Sequence, residues 1–379
     1  MDFDLTDDQR LLKDSVDRLI ADRYGFDQRK KYMTEKDGWS RDNWAQFAEL
    51  GLLGVSFDEA YGGFGGGPVE SMLVAEAFGR GLVVEPFFAT VVLGGGLIKR
   101  AGSDAQKMTM LSEIAAGTRL VAFAHVERAS RYNLADVQVT ATKSGDGWVL
   151  NGEKSVVMHG DCADTILVTA RTAGGRTDRA GIGLFVVDAK AEGLTRKGYP
   201  TQDGLRAAEI SFANVLAAGV LGDPAGALPI VERVVDEAIA VLCSEAVGLM
   251  HEMHVTTVDY MKQRKQFGRA ISEFQVLQHR SVDMFVALEQ ARSINLFGTV
   301  MAGNDDAKSR SRAVSATKVQ IGKSGRLIGE EAVQLHGGIA MTMEYKVGHY
   351  FKRMTMIEAL YGNTADHLAK VSDSGSLFA

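Results

Sequence analysis

The chain has 379 residues, with 42 Lys and Arg against 48 Asp and Glu, and its formal net charge is −6 at pH 7. Nucleic-acid binding requires a basic surface, so this balance excludes a nucleic-acid partner. No apolar run approaches the ~20 residues that span a bilayer, the N-terminus is acidic where a signal peptide is basic, and two cysteines cannot form a disulfide framework. We therefore expect a cytoplasmic protein of two or three packed domains that does not associate with membranes.

The first third of the chain has the period of amphipathic helices. Thr6 and Gln9 have the spacing of a capping box, and the apolar positions Val16 and Leu19 follow in one stripe. Further helices are predicted over residues 44–52, 69–78, 86–99 and 105–116. These patterns predict an N-terminal helical domain over residues 1–118.

At about residue 119 the period changes from helix to strand. Short runs rich in β-branched and aromatic residues are separated by turn residues such as Asn151-Gly152. Strands are predicted over residues 119–126, 137–142, 148–158, 165–171, 182–187 and 209–212. Short strands at this spacing favour a small antiparallel barrel or sandwich, so we predict a β-domain over residues 119–225.

From Leu228 to the end the pattern is again helical, beginning with one long apolar stripe. The later helices are predicted to run from a capping box at Ser272 and Gln275 to Met301, from Ala307 to His336, and onward from about Asn363. Long helices with short connections predict a C-terminal four-helix bundle over residues 226–379. The predicted fold class is therefore α+β, with N-terminal helices, a middle antiparallel β-barrel or sandwich and a C-terminal helical bundle.

Two segments have the composition of a phosphate-binding site. Arg264 lies where the first long helix is predicted to end, and Phe267 and Gly268 follow it. A cation at a helix end often only complements the helix dipole, but a planar guanidinium next to an aromatic residue and a glycine turn suits phosphate oxygens. Gln334 and the pair Gly337-Gly338 offer donors, an acceptor and open backbone, although a helix end followed by a glycine turn explains that segment equally well in isolation.

Together with Tyr61-Gly62-Gly63 and Leu150-Asn151-Gly152-Glu153-Lys154, these segments make the chain resemble the acyl-CoA dehydrogenase family over nearly its whole length. Within the family it most resembles the small subunit of pimeloyl-CoA dehydrogenase and related two-subunit enzymes. The resemblance implies α,β-dehydrogenation of an acyl-CoA thioester, FAD bound between subunits, and an electron-transferring flavoprotein that reoxidises the flavin. It also implies that the adenosine diphosphate end of FAD is held by Arg264, Gln266, Phe267, Gln275, Gln334, Gly337 and Gly338.

The residues that would serve the flavin ring depart from the family pattern. The family has Thr-Glu-Pro where this chain has Val126-Glu127-Arg128, so the hydroxyl near the reactive flavin nitrogen is missing. The family's Trp-Ile-Ser/Thr segment, which backs the ring, matches Val156-Val157-Met158 here. An aromatic wall and a hydroxyl are therefore both replaced.

The family's catalytic Glu, which removes the α-proton of the thioester, is also replaced. Its position matches Tyr361, and a phenol with an ordinary pKa of about 10 is a weak base at neutral pH. A second family position for the base matches Ala238. Two nearby carboxylates could take the place of the base, namely Glu237, next to Ala238, and Glu358, three residues before Tyr361. We rank either possibility below the absence of a base, so the catalytic residue stays unknown.

The residues matched to the adenosine side of FAD are intact, whereas those matched to the flavin-ring side are replaced. This difference indicates a hetero-oligomer of two plus two subunits, in which a homologous large subunit carries the base. Two alternatives stay open. One is a structural subunit without chemistry of its own, and the other is an oxygen-using flavoenzyme on the same fold. We expect no metal site, because His251 and His254 lack the HExxH spacing and a third ligand.

Overall fold

The computed structural model describes residues 4–375. The α-helices are α1 (Asp7–Arg23), α2 (Phe26–Tyr32), α3 (Arg41–Glu49), α4 (Pro68–Gly81), α5 (Gly96–Ala101), α6 (Asp104–Ala115), α7 (Leu228–Gln263), α8 (Gln275–Ala302), α9 (Ala307–His336), α10 (Lys346–Ala359) and α11 (Thr364–Asp373). A π-helix at Phe88–Gly95 leads into α5. Within the described residues, none of the helices is both long and apolar enough to cross a membrane.

The strands are β1 (Val121–Ala124), β2 (Thr140–Ser144), β3 (Gly147–Met158), β4 (Thr165–Arg171), β5 (Ile182–Asp188), β6 (Leu194–Pro200), β7 (Arg206–Leu216), β8 (Gly219–Leu221), β9 (Lys265–Gln266) and β10 (Arg269–Ala270). The first eight form one sheet in the order β6-β7-β3-β2-β4-β5-β8, with β1 beside β4. Pairing in this sheet is antiparallel except where β1 and β2 each meet β4. The predicted α+β fold, with N-terminal helices, a middle sheet and C-terminal helices, is confirmed.

The chain divides into two compact units, which we call the helical unit (residues 4–30, 68–83 and 239–375) and the sheet unit (residues 31–67 and 84–238). In the sheet unit, apolar side chains from β1–β5 and β7 form one buried core. In the helical unit, α8 and α9 pack along their lengths, and the Cα of Gly298 lies directly under the side chain of Thr317. The predicted domain boundaries at residues 118 and 225 stay predictions.

Two predicted helix starts have different outcomes. The capping box at α1 is confirmed, because the Gln9 amide donates to Thr6 Oγ1 at 3.2 Å and the Thr6 amide donates to Gln9 Oε1 at 3.0 Å. The predicted capping box at Ser272 is wrong, since α8 has Phe274 as its N-cap and no side-chain cap. The physical reason is that Glu273 accepts the Ala270 amide at 3.1 Å, which closes a short 3₁₀ turn before α8 begins.

Candidate functional site

A tight hairpin after α7 carries three of the predicted cofactor-binding residues. The Arg264 amide donates to the carbonyl of Tyr260 at 2.8 Å, and β9, which ends at Gln266, then pairs antiparallel with β10. Phe267 and Gly268 form the turn in the left-handed region, with φ of 55° and 81°. Glycine adopts this conformation freely, whereas for a residue such as Phe267 it costs about 1–2 kcal/mol. The hairpin thereby presents Phe267 outward, with 91% of its surface exposed.

The C-terminal end of α9 lies beside the C-terminal end of α7. The Tyr260 hydroxyl donates to the carbonyl of His336 at 3.3 Å, and the two rings stack with centroids 4.4 Å apart. Gly337 follows with φ of 66°. α8 begins at the same place, because the ring of its N-cap Phe274 meets the ring of Phe267 edge-on at 6.1 Å. The two predicted segments, far apart in sequence, therefore meet at one end of the helical unit.

The exposed groups at this end fit the adenosine diphosphate part of FAD. The structure leaves every predicted cofactor-binding residue exposed, namely Arg264, Gln266, Phe267, Gln275, Gln334, Gly337 and Gly338. Within residues 4–375 the side chains of Arg264, Gln275 and Gln334 form no hydrogen bond or ion pair. A Cβ atom added to either glycine would meet no atom within 4 Å. An unengaged guanidinium, two free amides and bare backbone match the phosphate oxygens and polar edges of a dinucleotide.

In the sheet unit, the two segments matched to the family's flavin wall lie side by side. The Val126 carbonyl accepts the Ser155 amide at 2.8 Å, which places Val126 next to Val156. Val156 is 40% exposed and has φ of 51°, an outlier for a β-branched residue. Its amide donates to Oε1 of Glu209 at 3.3 Å. A strained backbone is thus maintained at a position whose side chain is small and aliphatic.

A buried ion pair stabilises the two segments that contain Val126 and Val156. The Nζ of Lys154, which is fully buried, donates to Glu127 Oε1 at 2.8 Å and to Thr169 Oγ1 at 3.1 Å. The two Glu127 oxygens also accept the backbone amides of Gln138 and Val139 at 2.8 and 3.1 Å. Burial lowers the pKa of Lys154 to about 8, and the nearby Glu127 carboxylate opposes that shift. Glu127 is therefore a structural residue, and its carboxylate is not available as a catalytic base.

Tyr361, matched to the family's catalytic Glu, lies in the turn between α10 and α11 with φ of 59°. Its carbonyl accepts from Nε2 of the buried His367 at 3.1 Å, so Nε2 carries the proton and Nδ1 accepts from the Ser315 hydroxyl at 3.0 Å. Burial lowers the pKa of His367 to about 3, which keeps this imidazole neutral. Burial also raises the pKa of the Tyr361 phenol above its ordinary value. The phenol is therefore an even weaker candidate for a base than an exposed tyrosine.

The two substitute carboxylates have other structural roles. Glu237 forms ion pairs with Arg233, at 2.8 Å, and with Arg100. Glu358 Oε1 accepts the amide of Thr364, the first residue of α11, at 2.8 Å. Its Oε2 is buried and, among residues 4–375, without a hydrogen-bond partner. Glu237 thus serves a salt-bridge network, and Glu358 supports the turn that contains Tyr361.

Backbone strain and buried supports are features of the candidate site that the residue pattern does not reveal. Val156, Phe267 and Tyr361 all have positive φ, although none of these residue types favours that region. The glycines that follow Phe267 and Tyr361 are the local sequence signals of a turn. No such signal accompanies Val156, or His367, which donates to the Tyr361 carbonyl, or Ser315, which donates to His367.

Comparisons with known proteins agree over nearly the whole chain. Models of the acyl-CoA dehydrogenase N-terminal, middle and C-terminal domains match residues 6–118, 122–215 and 228–375. The probable acyl-CoA dehydrogenase YngJ of Bacillus subtilis is 28% identical, covering 94% of this chain and 95% of its own. The short-chain specific acyl-CoA dehydrogenase of Megasphaera elsdenii is 29% identical, with 96% of each chain covered. The solved Tcur3481-Tcur3483 steroid ACAD is 27% identical, with a TM-score of 0.87 and 97% of each chain covered.

These relatives confirm the predicted enzyme class and cofactor. Acyl-CoA dehydrogenases are oxidoreductases that act on a CH–CH bond of an acyl-CoA, and they are FAD-binding flavoproteins. The exposed residues at the ends of α7 and α9, which are predicted to bind the adenosine side, are compatible with that cofactor. The chain therefore belongs to the acyl-CoA dehydrogenase family.

Proposed function

We propose that this chain is a subunit of an FAD-dependent acyl-CoA dehydrogenase. The subunit binds the adenosine side of FAD across a subunit interface. A homologous large subunit supplies the catalytic base. The observation that carries the proposal is an asymmetry between the two halves of the site. The residues predicted for the phosphate end are exposed, and the side chains of Arg264, Gln275 and Gln334 have no partner within residues 4–375. The position of the base, in contrast, holds Tyr361, whose pKa is raised by burial.

When bound, FAD accepts a hydride from the β-carbon of the thioester in the reaction of this family. The part of this chain is to bind and orient the cofactor. Arg264 would hold phosphate oxygens, Phe267 would cover an apolar face of the nucleotide, and the glycine pair at 337–338 would let the backbone approach closely. The carboxylates of Glu127 and Glu237 are held in ion pairs, so neither supports proton abstraction.

Because this chain would bind the cofactor without supplying the base, the proposal requires a partner of the same fold that supplies it. The similar steroid enzyme is named for two proteins, Tcur3481 and Tcur3483, which supports an assembly of two different chains. We extend the proposal to two plus two subunits of the pimeloyl-CoA dehydrogenase type, with a dicarboxylic or otherwise bulky acyl-CoA as substrate. An electron-transferring flavoprotein is the proposed electron acceptor.

The decisive experiment compares the chain purified alone with the chain co-purified with its homologous large subunit. We would measure flavin absorbance per chain and acyl-CoA oxidation with an artificial electron acceptor. The expected result is one flavin for each pair of different subunits and turnover by the complex alone. Full flavin loading and turnover of the isolated chain would overturn the proposal.

A purely structural subunit is the second candidate, and the phenol at the position of the base favours it. In that case Tyr361→Phe in the complex changes neither kcat nor KM for the acyl-CoA. A raised KM with unchanged kcat would instead show that this chain takes part in substrate binding.

A further inference from the structure

A cavity lies between α9, α10 and the start of α11 in the helical unit. Its volume is about 350 Å³, which is within the range of small-molecule sites. Phe351 and Met354 of α10 line its apolar part. A Cβ atom on Gly325 would collide with Met354, and one on Gly329 would collide with Phe351, so both side chains lie directly on the backbone of α9. Glycine inside a helix is destabilising relative to alanine, so this shape has a specific sequence requirement.

One end of the cavity holds a carboxylate oxygen and a hydroxyl that lack partners. Glu358 Oε1 accepts the Thr364 amide at 2.8 Å, whereas its Oε2 is buried and, within residues 4–375, has no hydrogen-bond partner. The Thr364 hydroxyl likewise forms no hydrogen bond with any of these residues. Both oxygens face the bare Cα of Gly322, where a Cβ atom would collide with each of them. A buried oxygen without a partner is rare in folded proteins, so this end has room and hydrogen-bonding capacity for a ligand group.

A buried lysine limits which ligand group can contact Glu358. Lys318, which is fully buried, donates its Nζ to the carbonyl of Ile357, the residue before Glu358. Burial lowers the pKa of Lys318, and the Glu358 carboxylate is among the groups that oppose this shift. A ligand ammonium would therefore compete with Lys318 for one carboxylate charge. A hydroxyl can instead donate to Glu358 Oε2 and accept from the Thr364 hydroxyl, and a hydrogen bond to a charged acceptor is stronger than one between neutral groups.

The rim of the cavity offers an ammonium that is available to an anion. Lys323 is exposed and forms no hydrogen bond or ion pair within residues 4–375. The other two charged residues of the rim neutralise each other, because the Nε of Arg326 lies 2.8 Å from Oε1 of Glu330. From Gly322 to Glu330 the cavity follows α9 for roughly 12 Å, which is long enough for an aliphatic chain between two polar ends.

We propose that this cavity binds a small aliphatic carboxylate whose far end carries a hydroxyl group. The hydroxyl donates to Glu358 Oε2 and accepts from Thr364, and the carboxylate pairs with Lys323. The aliphatic chain between them lies on Phe351 and Met354. The site goes beyond the proposed function, since the described residues that line the cavity include none of those predicted for FAD.

The ligand class is tested by isothermal titration calorimetry of the full chain, alone and in the complex with its large subunit. The probe is ω-hydroxyoctanoate, and octanoate and ω-aminooctanoate are its matched controls. Octanoate should bind roughly tenfold more weakly, because it cannot donate to the carboxylate of Glu358. Tighter binding of ω-aminooctanoate would overturn the assignment of a hydroxyl. If none of the three probes binds saturably, the cavity holds water only and the proposal is wrong.

The location of the site is tested with two variants. Glu358→Gln removes the charged acceptor, so the affinity for ω-hydroxyoctanoate should fall close to that for octanoate, whose own binding should not weaken. Lys323→Ala, at an exposed position, should weaken binding of both carboxylates roughly threefold, as expected for an exposed ion pair. Lys308→Ala, an exposed lysine of α9 outside the cavity, should change neither affinity. Urea unfolding checks the fold of each variant. A preference for the hydroxylated probe that survives Glu358→Gln, or binding indifferent to Lys323→Ala, would place the ligand elsewhere.

Discussion

Glu85 is a buried acid that the fold keeps protonated at neutral pH. The residue is 4% exposed, and its Oε1 accepts the Ser40 amide and the Asn43 side-chain amide, each at 3.3 Å. Its Oε2 is buried and has no hydrogen-bond partner among residues 4–375. Burial raises the pKa of Glu85 from 4.5 to about 8, against the opposing effect of its backbone hydrogen bonds. We therefore expect this one residue to make the stability of the sheet unit depend on pH.

The sign follows from proton binding in the two states. Below pH 4.5 the folded and unfolded chains are both protonated at Glu85, and the residue adds no pH dependence. Between pH 4.5 and about 8 the unfolded chain has lost the proton and the folded chain keeps it, so the free energy of unfolding falls as pH rises. One pKa unit corresponds to about 1.4 kcal/mol, which gives a penalty of about 3 kcal/mol at pH 7. Glu85→Gln keeps an acceptor but cannot ionise, so it removes this penalty.

The assay is urea unfolding followed by tryptophan fluorescence. Trp39, Trp44 and Trp148 are the three tryptophans of the chain and all lie in the sheet unit, so the signal reports that unit. Between about pH 5.5 and pH 7.5, the stability advantage of Glu85→Gln over wild type should widen by about 2–3 kcal/mol. Glu192→Gln, at an exposed position of the same unit, should show no widening. An advantage that is independent of pH would refute the reasoning.

Three further outcomes are expected. Arg264→Ala should weaken FAD binding by the complex roughly 10- to 100-fold, because a charge-assisted contact is lost; flavin fluorescence during dialysis measures the change. The control is Arg326→Ala at an exposed position of α9, which should leave FAD binding unchanged. Lys154→Met leaves the Glu127 charge buried and uncompensated, so the free energy of unfolding in urea should fall by about 3–5 kcal/mol, and adding Glu127→Gln should recover part of it. Tyr361→Phe should leave the pH–rate profile of the complex unchanged, because burial holds the phenol protonated; a shifted profile would contradict this assignment.

Long, strongly patterned elements could be predicted from the sequence, and short or exposed ones could not. α9 begins and ends at the predicted residues, Ala307 and His336, because a sustained apolar period leads to a glycine pair. Strand β6 was missed because all of its residues are exposed or half-buried, so no buried apolar position alternates with an exposed one. β6 belongs to the sheet because its backbone pairs with β7 over its whole length, which residue hydropathy does not record.

The candidate site shows the same limit. The individual residues were predicted from the resemblance to the family, which the segments around Arg264 and Gln334 carry, and their roles stay predictions. Their meeting at one end of the helical unit depends on the contact between Tyr260 and His336, two residues from distant segments. No local pattern encodes such a pairing. The support of the Tyr361 carbonyl by His367 is equally non-local in effect, because it also requires Ser315 from α9.

These supports explain how the side chains at two positions can differ from the family pattern while the fold is kept. The interactions that hold the two altered positions are directed at the backbone: His367 binds the carbonyl of Tyr361, and Glu209 binds the amide of Val156. A backbone group is the same whatever side chain it carries, so exchange of the side chain leaves each support in place. The loss of the base and of the aromatic wall that we propose is therefore compatible with an intact turn and an intact sheet. The hairpin after α7, which presents Phe267, does not depend on either altered side chain, so the proposed cofactor contacts are kept as well.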